Sequence, residues 1–199
     1  MSRFYNLKKL PYEYDYLEPI LSSEQIHLHQ DKHHKAYVEK ANEILEKLDK
    51  EKGNAVPDLT CTYKKLTFNV GGIILHDLYF DSMRNPNGGE PEGELAKKLE
   101  EEFGSFDGFK KQFLAVATTI EGSGWAALFY CKMTDRLLIA PIQNHNLNIY
   151  PMFKIILVLD MWEHAYYVDY KNDKKKYAEG FWQIVDWDKV GERFFKIKV

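Results

Sequence analysis

The sequence predicts an α+β fold: an N-terminal long α-helical hairpin, then a C-terminal α/β domain in which helices flank a small, three-stranded antiparallel sheet. Three observations carry this expectation. Two long segments before Met83 repeat their apolar residues at helical spacing. A run of turn-forming residues, NPNGGEPEG at 85–93, then interrupts the chain. Beyond it, three short runs rich in β-branched and aromatic residues follow one another before helical spacing returns. The domain boundary is therefore expected at the interruption, with residues 1–88 forming the hairpin and 89–199 the mixed domain.

Taken in order, LPYEYDYLEP with Pro11 and Pro19 reads as an extended arm, because proline fixes its own φ and turns the preceding residue away from helix. Ser22, Ser23 and Gln25 resemble a capping box, and a long helix is expected from Glu24 to about Lys50, ended by Gly53. A loop containing Pro57 leads to a second helix, Cys61 to Met83, despite Gly71 and Gly72, which cost it roughly 1–2 kcal/mol of propensity. ELAKKLEEEF and FDGFKKQFLAVATTI read as two shorter helices separated by Gly104. WAALFYCKM, a turn at Thr134 and Asp135, RLLIAPI and KIILVLD supply the strands, and DKKKYAEGFWQIVDWDKVGERFF returns to helix.

Composition excludes several function classes. A formal net charge of −3, with both signs interleaved along the chain, provides no field to draw nucleic acid or an anionic membrane surface. No apolar stretch reaches the length of a membrane span, and MSRFYNLKKLPYEYDY lacks the apolar core of a signal peptide, so a soluble cytoplasmic protein is expected. Cys61 and Cys131 lack the spacing of zinc or redox sites and read as free thiols.

Four of the seven histidines fall within eight residues of the first helix. His29, His33 and Tyr37, spaced i, i+4, i+8, make a polar face where a core stripe would be apolar. His76 lies one turn after Gly72, whose missing side chain leaves a volume beside the imidazole. In LDMWEHAYYVDY, Asp160 ends an apolar strand and His164 follows four residues later. A carboxylate at a buried strand end is costly unless paired or bound to a metal. Histidines and an aspartate from separated segments meet that demand with a redox-capable transition metal, although the ligand types also admit zinc.

Together, LPYEYDYLEP, HLHQDKHHKAYV, NVGGIILHDLYF, GSGWAAL and DMWEHAYYVDYKN resemble the iron/manganese superoxide dismutase family, in the family's order and spacing, from near residue 10 to near residue 193. The resemblance implies conversion of superoxide to O₂ and H₂O₂ by alternating M³⁺ and M²⁺ states of one iron or manganese ion per subunit. His29, His76, Asp160 and His164 are its implied ligands, with a solvent molecule as the fifth, at a site between the two domains. His33 and Tyr37 are implied to stand at the substrate entrance rather than on the metal. Trp125, Trp162 and Phe80 match positions lining the metal pocket, Phe80 replacing a frequent tryptophan. Neither position that commonly supplies a glutamine to the bound solvent holds one: Gly72 occupies one and His145 the other. The expectation is that His145 enters the space beside His76 and hydrogen-bonds the solvent.

The resemblance also implies that Glu163 reaches the ligand histidine of a partner subunit, and Tyr166 the position matching His33, across a two-fold interface. The expected assembly is a homodimer, or a homotetramer of paired dimers, without nucleic-acid or membrane partners. Lys32 and Lys174 match positions near the substrate funnel. Two other readings share the donor types: a non-haem iron oxygenase, which normally uses two histidines and one carboxylate, and a non-catalytic metal-binding protein.

Overall fold

The computed structural model describes residues 3–54, 58–151 and 153–198; the expected loop residue Pro57 lies outside them. The first helical rod is not uniform. Helix α1 (Ser23–Leu28) passes directly into a π-helical segment (His29–His34) and then into α2 (Lys35–Lys50). The Lys35 N–H donates to the Gln30 carbonyl, five residues back. Spacing alone predicted unbroken α-helix here. The wider π turn sets residues five apart about one turn from each other, so His29 and His34 both point into the protein and are buried.

Ser22 caps the rod, its hydroxyl accepting from the Gln25 N–H at 3.1 Å. Only half of the anticipated capping box forms, because the Gln25 side chain is engaged elsewhere. The arm before it also departs from the extended form expected for LPYEYDYLEP. Turn hydrogen bonds link Tyr16 to Glu13, Glu18 to Asp15 and Ile20 to Leu17, and the coiling buries Leu17 and Leu21 completely. Helix α3 (Leu59–Phe80) packs on α2 around Val38, Ala41 and Ile73, completing the hairpin.

After the Gly-rich connection, α4 (Gly93–Phe103) ends at Gly104, whose φ of 79° is the left-handed turn that glycine adopts without strain. Ser105 then caps α5 (Phe106–Thr119) through the Gly108 N–H. The sheet comprises β1 (Gly124–Cys131), β2 (Arg136–Gln143) and β3 (Phe153–Asp160), all antiparallel, in the order β2-β1-β3. Every residue of β1 is buried, as a central strand covered on both faces must be. Trp125 pairs with Asp160 across β1 and β3, and with Ile142 across β1 and β2.

A short 3₁₀ turn (Glu163–Ala165), α6 (Tyr167–Tyr170), α7 (Lys174–Phe181) and α8 (Trp187–Lys198) complete the chain. The main core is continuous between the two halves: Leu17, Ile26, Leu75 and Tyr79 belong to the same buried cluster as Phe109, Trp125, Leu157 and Phe181. Cys61 and Cys131 are free thiols. Among the described residues no helix is long and apolar enough to cross a membrane.

Candidate metal centre

Four side chains from four stretches of the chain meet at one point: His29 from the π segment, His76 from α3, Asp160 from the end of β3 and His164 from the 3₁₀ turn. One ligand atom from each lies within 4.8 Å of the others. The geometry centres on one carboxylate oxygen. Asp160 Oδ2 is 3.2 Å from Nε2 of His29, 3.6 Å from Nε2 of His76 and 3.2 Å from Nε2 of His164. The other oxygen, Oδ1, accepts the Trp162 N–H at 2.9 Å.

His29, His76 and Asp160 are wholly buried, and His164 nearly so. Burial pulls the His29 imidazole down to about 4 and lowers His76 well below its ordinary value, so both rings are neutral at neutral pH. Burial alone would raise the Asp160 carboxyl, but its contacts with His164 and His29 outweigh this and keep it ionised. His76 donates its Nδ1–H to the Gly72 carbonyl at 2.7 Å, leaving the Nε2 lone pair facing Asp160. That lone pair has no hydrogen-bond partner among the described residues, and neither does Nε2 of His29. Unpartnered imidazole nitrogens around a buried carboxylate need a cation between them. Three nitrogens and one oxygen suit a divalent or trivalent transition metal, iron, manganese and zinc among them.

Aromatic rings enclose this point. Trp125, fully buried, has its ring centroid 5.0 Å from that of His76, and Phe80 lies 5.0 Å from His29. Trp162 stacks on His145 at 4.4 Å, with an interplanar angle of 8°. His33 is exposed and stacks on His164 at 4.3 Å, outside the four-residue cluster. Tyr37 is half-buried, 4.6 Å from His145 and 5.2 Å from His76, and burial raises its phenol well above the ordinary value.

His145 is completely buried in the connection between β2 and β3. Trp125 Nε1–H donates to its Nδ1 at 3.1 Å, while its Nε2 has no hydrogen-bond partner among the described residues. Its route to this position differs from the expected one. The space over Gly72 is filled by Tyr37: a Cβ at 72 would stand 2.8 Å from Tyr37 Cγ. Gly71 is the residue that admits His145, since a Cβ there would collide with the His145 main-chain carbonyl. Two adjacent glycines on a helix thus seat two different neighbours.

Two domain models and several curated relatives match this chain. Residues 4–84 match the alpha-hairpin domain of iron/manganese superoxide dismutases, and residues 91–193 match the C-terminal domain of the same family. The chain belongs to the iron/manganese superoxide dismutase family. A superoxide dismutase [Fe] of Methanothermobacter marburgensis is 50% identical over 196 residues, covering 96% of each chain. A superoxide dismutase [Mn/Fe] of Aeropyrum pernix is 42% identical, over 95% of this chain and 90% of its own. A superoxide dismutase [Mn] of Mycolicibacterium fortuitum is 40% identical, over 96% and 92%. This chain is accordingly an oxidoreductase that dismutes superoxide to O₂ and H₂O₂ with iron or manganese chemistry.

The remaining expected residues are placed as follows. Glu163 is exposed, and its carboxylate has no hydrogen-bond or ion-pair partner among the described residues. Tyr166 is buried and stacks on Tyr177 at 5.1 Å. Lys32 is exposed, whereas the Lys174 ammonium is held by the Ile120 carbonyl at 3.0 Å, capping the end of α5. Sequence reasoning missed His34, which is buried, stacks on His76 at 5.3 Å and bonds Gln30 Oε1 through Nδ1 at 2.9 Å. The adjacent pair His33–His34 was a signal: in a helix lying against a core, neighbours face different surroundings, and one of two histidines must turn inward.

Proposed function

We propose that His29, His76, Asp160 and His164 hold one iron or manganese ion per subunit, at a junction between residues 1–88 and 89–199. The observation that carries this is Asp160 Oδ2, buried and ringed by three imidazole Nε2 atoms at 3.2, 3.6 and 3.2 Å. When bound, such an ion supplies the one-electron chemistry of its 3+ and 2+ states, so that one superoxide leaves as O₂ and a second leaves as H₂O₂ after gaining two protons.

The protein's part is charge, proton supply and exclusion of water. Three neutral imidazoles and one carboxylate offset a single positive charge, leaving the pocket attractive to an anion. His145 is the proton donor facing the site. Because its Nδ1 accepts from Trp125, the neutral ring carries its hydrogen on Nε2, the nitrogen with no partner among the described residues. Trp162 holds that ring flat by stacking. Tyr37, with its phenol kept protonated by burial, and His33, exposed beside His164, form the entrance. Trp125 and Phe80 exclude water from the ligands.

The exposed, unpartnered Glu163 supports a two-fold dimer in which it meets the partner's ligand histidine, with Tyr166 completing the contact. Pairing of two such dimers into a tetramer, and a cytoplasmic location, belong to the same reading. The test is to measure bound iron and manganese in the purified protein and superoxide removal in the same sample. Asp160→Asn and His76→Ala should lose metal and activity together; full activity in a metal-free variant would remove the basis of the assignment.

A further inference from the structure

The four proposed ligands are not held equally well. His29 sits within a helical rod, and His76 lies inside α3 with its Nδ1 fixed by Gly72. Asp160 ends a strand paired to β1, with Oδ1 bonded to the Trp162 N–H. His164 instead rides a three-residue 3₁₀ turn, and among the described residues its ring is bonded only to Asp160. Something must hold the main chain of that turn.

Gln25 does so. It is completely buried, one helical turn before His29, and its main-chain N–H is itself fixed by Ser22 Oγ. Its Nε2 donates to the His164 carbonyl at 2.6 Å, while its Oε1 accepts the Val168 N–H at 3.3 Å. Val168 lies in the first turn of α6, where N–H groups have no intrahelical acceptor. One amide therefore satisfies an acceptor and a donor on either side of the His164 turn, and fixes its own orientation in doing so. It also ties that turn to the rod that presents His29.

We propose that Gln25 is a positioning residue for the metal centre: it holds the His164 imidazole in register with His29 by clamping the main chain at 164 and 168. The proposal rests on His164 being a ligand. A buried amide with an apolar core around it has no water to replace it, so its loss leaves the His164 carbonyl and the Val168 N–H without partners. Outer partners of metal ligands typically affect metal retention by about 10- to 100-fold.

The experiment uses the metal-loaded protein in excess chelator. Gln25→Met keeps the side-chain length but neither donates nor accepts; Gln25→Asn keeps the amide one methylene short and serves where the methionine variant folds poorly. Both should release metal about 10- to 100-fold faster than wild type and shift the visible absorption of the oxidised centre. Tyr170→Phe is the control: it breaks a different bond between the same segments, Tyr170 Oη–H to the Ile20 carbonyl at 2.7 Å, without touching a ligand turn. It should leave release rate and spectrum unchanged. Release within twofold of wild type and an unshifted spectrum in both Gln25 variants would overturn the proposal, as would an equal change in Tyr170→Phe. His164→Ala separates the two failures. If it retains full metal, the ligand assignment fails and the proposal with it; if it loses metal while the Gln25 variants do not, only the positioning role fails.

Discussion

Replacing Gly71 with alanine should destabilise this protein, although helix propensity alone predicts the opposite. Gly71 lies inside α3, where alanine is favoured over glycine by about 0.5–1 kcal/mol. A Cβ at 71, however, would stand 3.0 Å from the His145 carbonyl carbon, closer still to its oxygen, and 3.3 Å from His145 Cβ. Main chain cannot swing aside as a flexible side-chain tip can. Relief requires the helix and the His145 main chain to separate, and overpacking of this kind costs about 1–3 kcal/mol. The net effect should be a loss of about 0.5–2 kcal/mol, or roughly 1–8 °C in Tm for a chain of this size. Activity should fall further than stability suggests. On the proposed role of His145 as proton donor, its displacement with the main chain by about 1 Å should cost on the order of 100-fold. Gly191→Ala is the matched control, because nothing lies within 4 Å of a Cβ in α8, and it should gain about 0.5–1 kcal/mol. Thermal unfolding of both variants, with superoxide removal normalised to bound metal, checks the pair. A Gly71→Ala protein as stable and as active as wild type would refute the claim that glycine serves this close approach.

Changing His145 to Gln should shift both the pH dependence of activity and the metal potential, since an amide replaces the imidazole that takes the Trp125 bond; identical pH profiles and potentials would place the donor elsewhere. Glu163→Ala should weaken the proposed dimer and metal retention together, measured by sedimentation equilibrium and metal analysis, and an unchanged assembly with unchanged metal content would reject the link. Without metal, the protein should lose stability in mild acid. Burial lowers His29, His34 and His145 from the ordinary 6.5 to about 4. Their folded pKa lies below the unfolded one, so between about pH 6.5 and 4 the unfolded chain binds more protons, and each residue removes up to about 1.4 kcal/mol per pH unit as pH falls. The urea midpoint of the metal-free protein should therefore hold above pH 6.5 and drop at pH 6 and 5; a flat midpoint over that range would contradict the burial of these rings.

Much of the architecture was legible because it rests on local pattern. The hairpin, the three strands and the closing helices follow from apolar spacing and turn residues, and DMWEHAYYVDYKN with the four motifs before it carries the family resemblance. The local departures had nonlocal causes. A π turn at His29–His34 has no propensity signature; it exists because turning both His29 and His34 inward is compatible with the surrounding core. Gln25 offered the spacing of a capping box, yet the end of a distant turn competes for its amide and wins. Lys174 matches a position near the substrate funnel by resemblance, and only the fold shows that its ammonium is held by a helix end 54 residues earlier in sequence.

The sequence by itself determined which chemistry is available: the residue types, their order along the chain and the segments that carry them. Only the tertiary structure decided which neighbour fills each gap, giving Gly72 to Tyr37 and Gly71 to the His145 main chain, and which nitrogen of His145 is free to donate. The physical reason is range. Periodicity and turn chemistry act over a few residues, while the contacts that seat a ring or select a tautomer join parts of the chain that meet only once the core has closed.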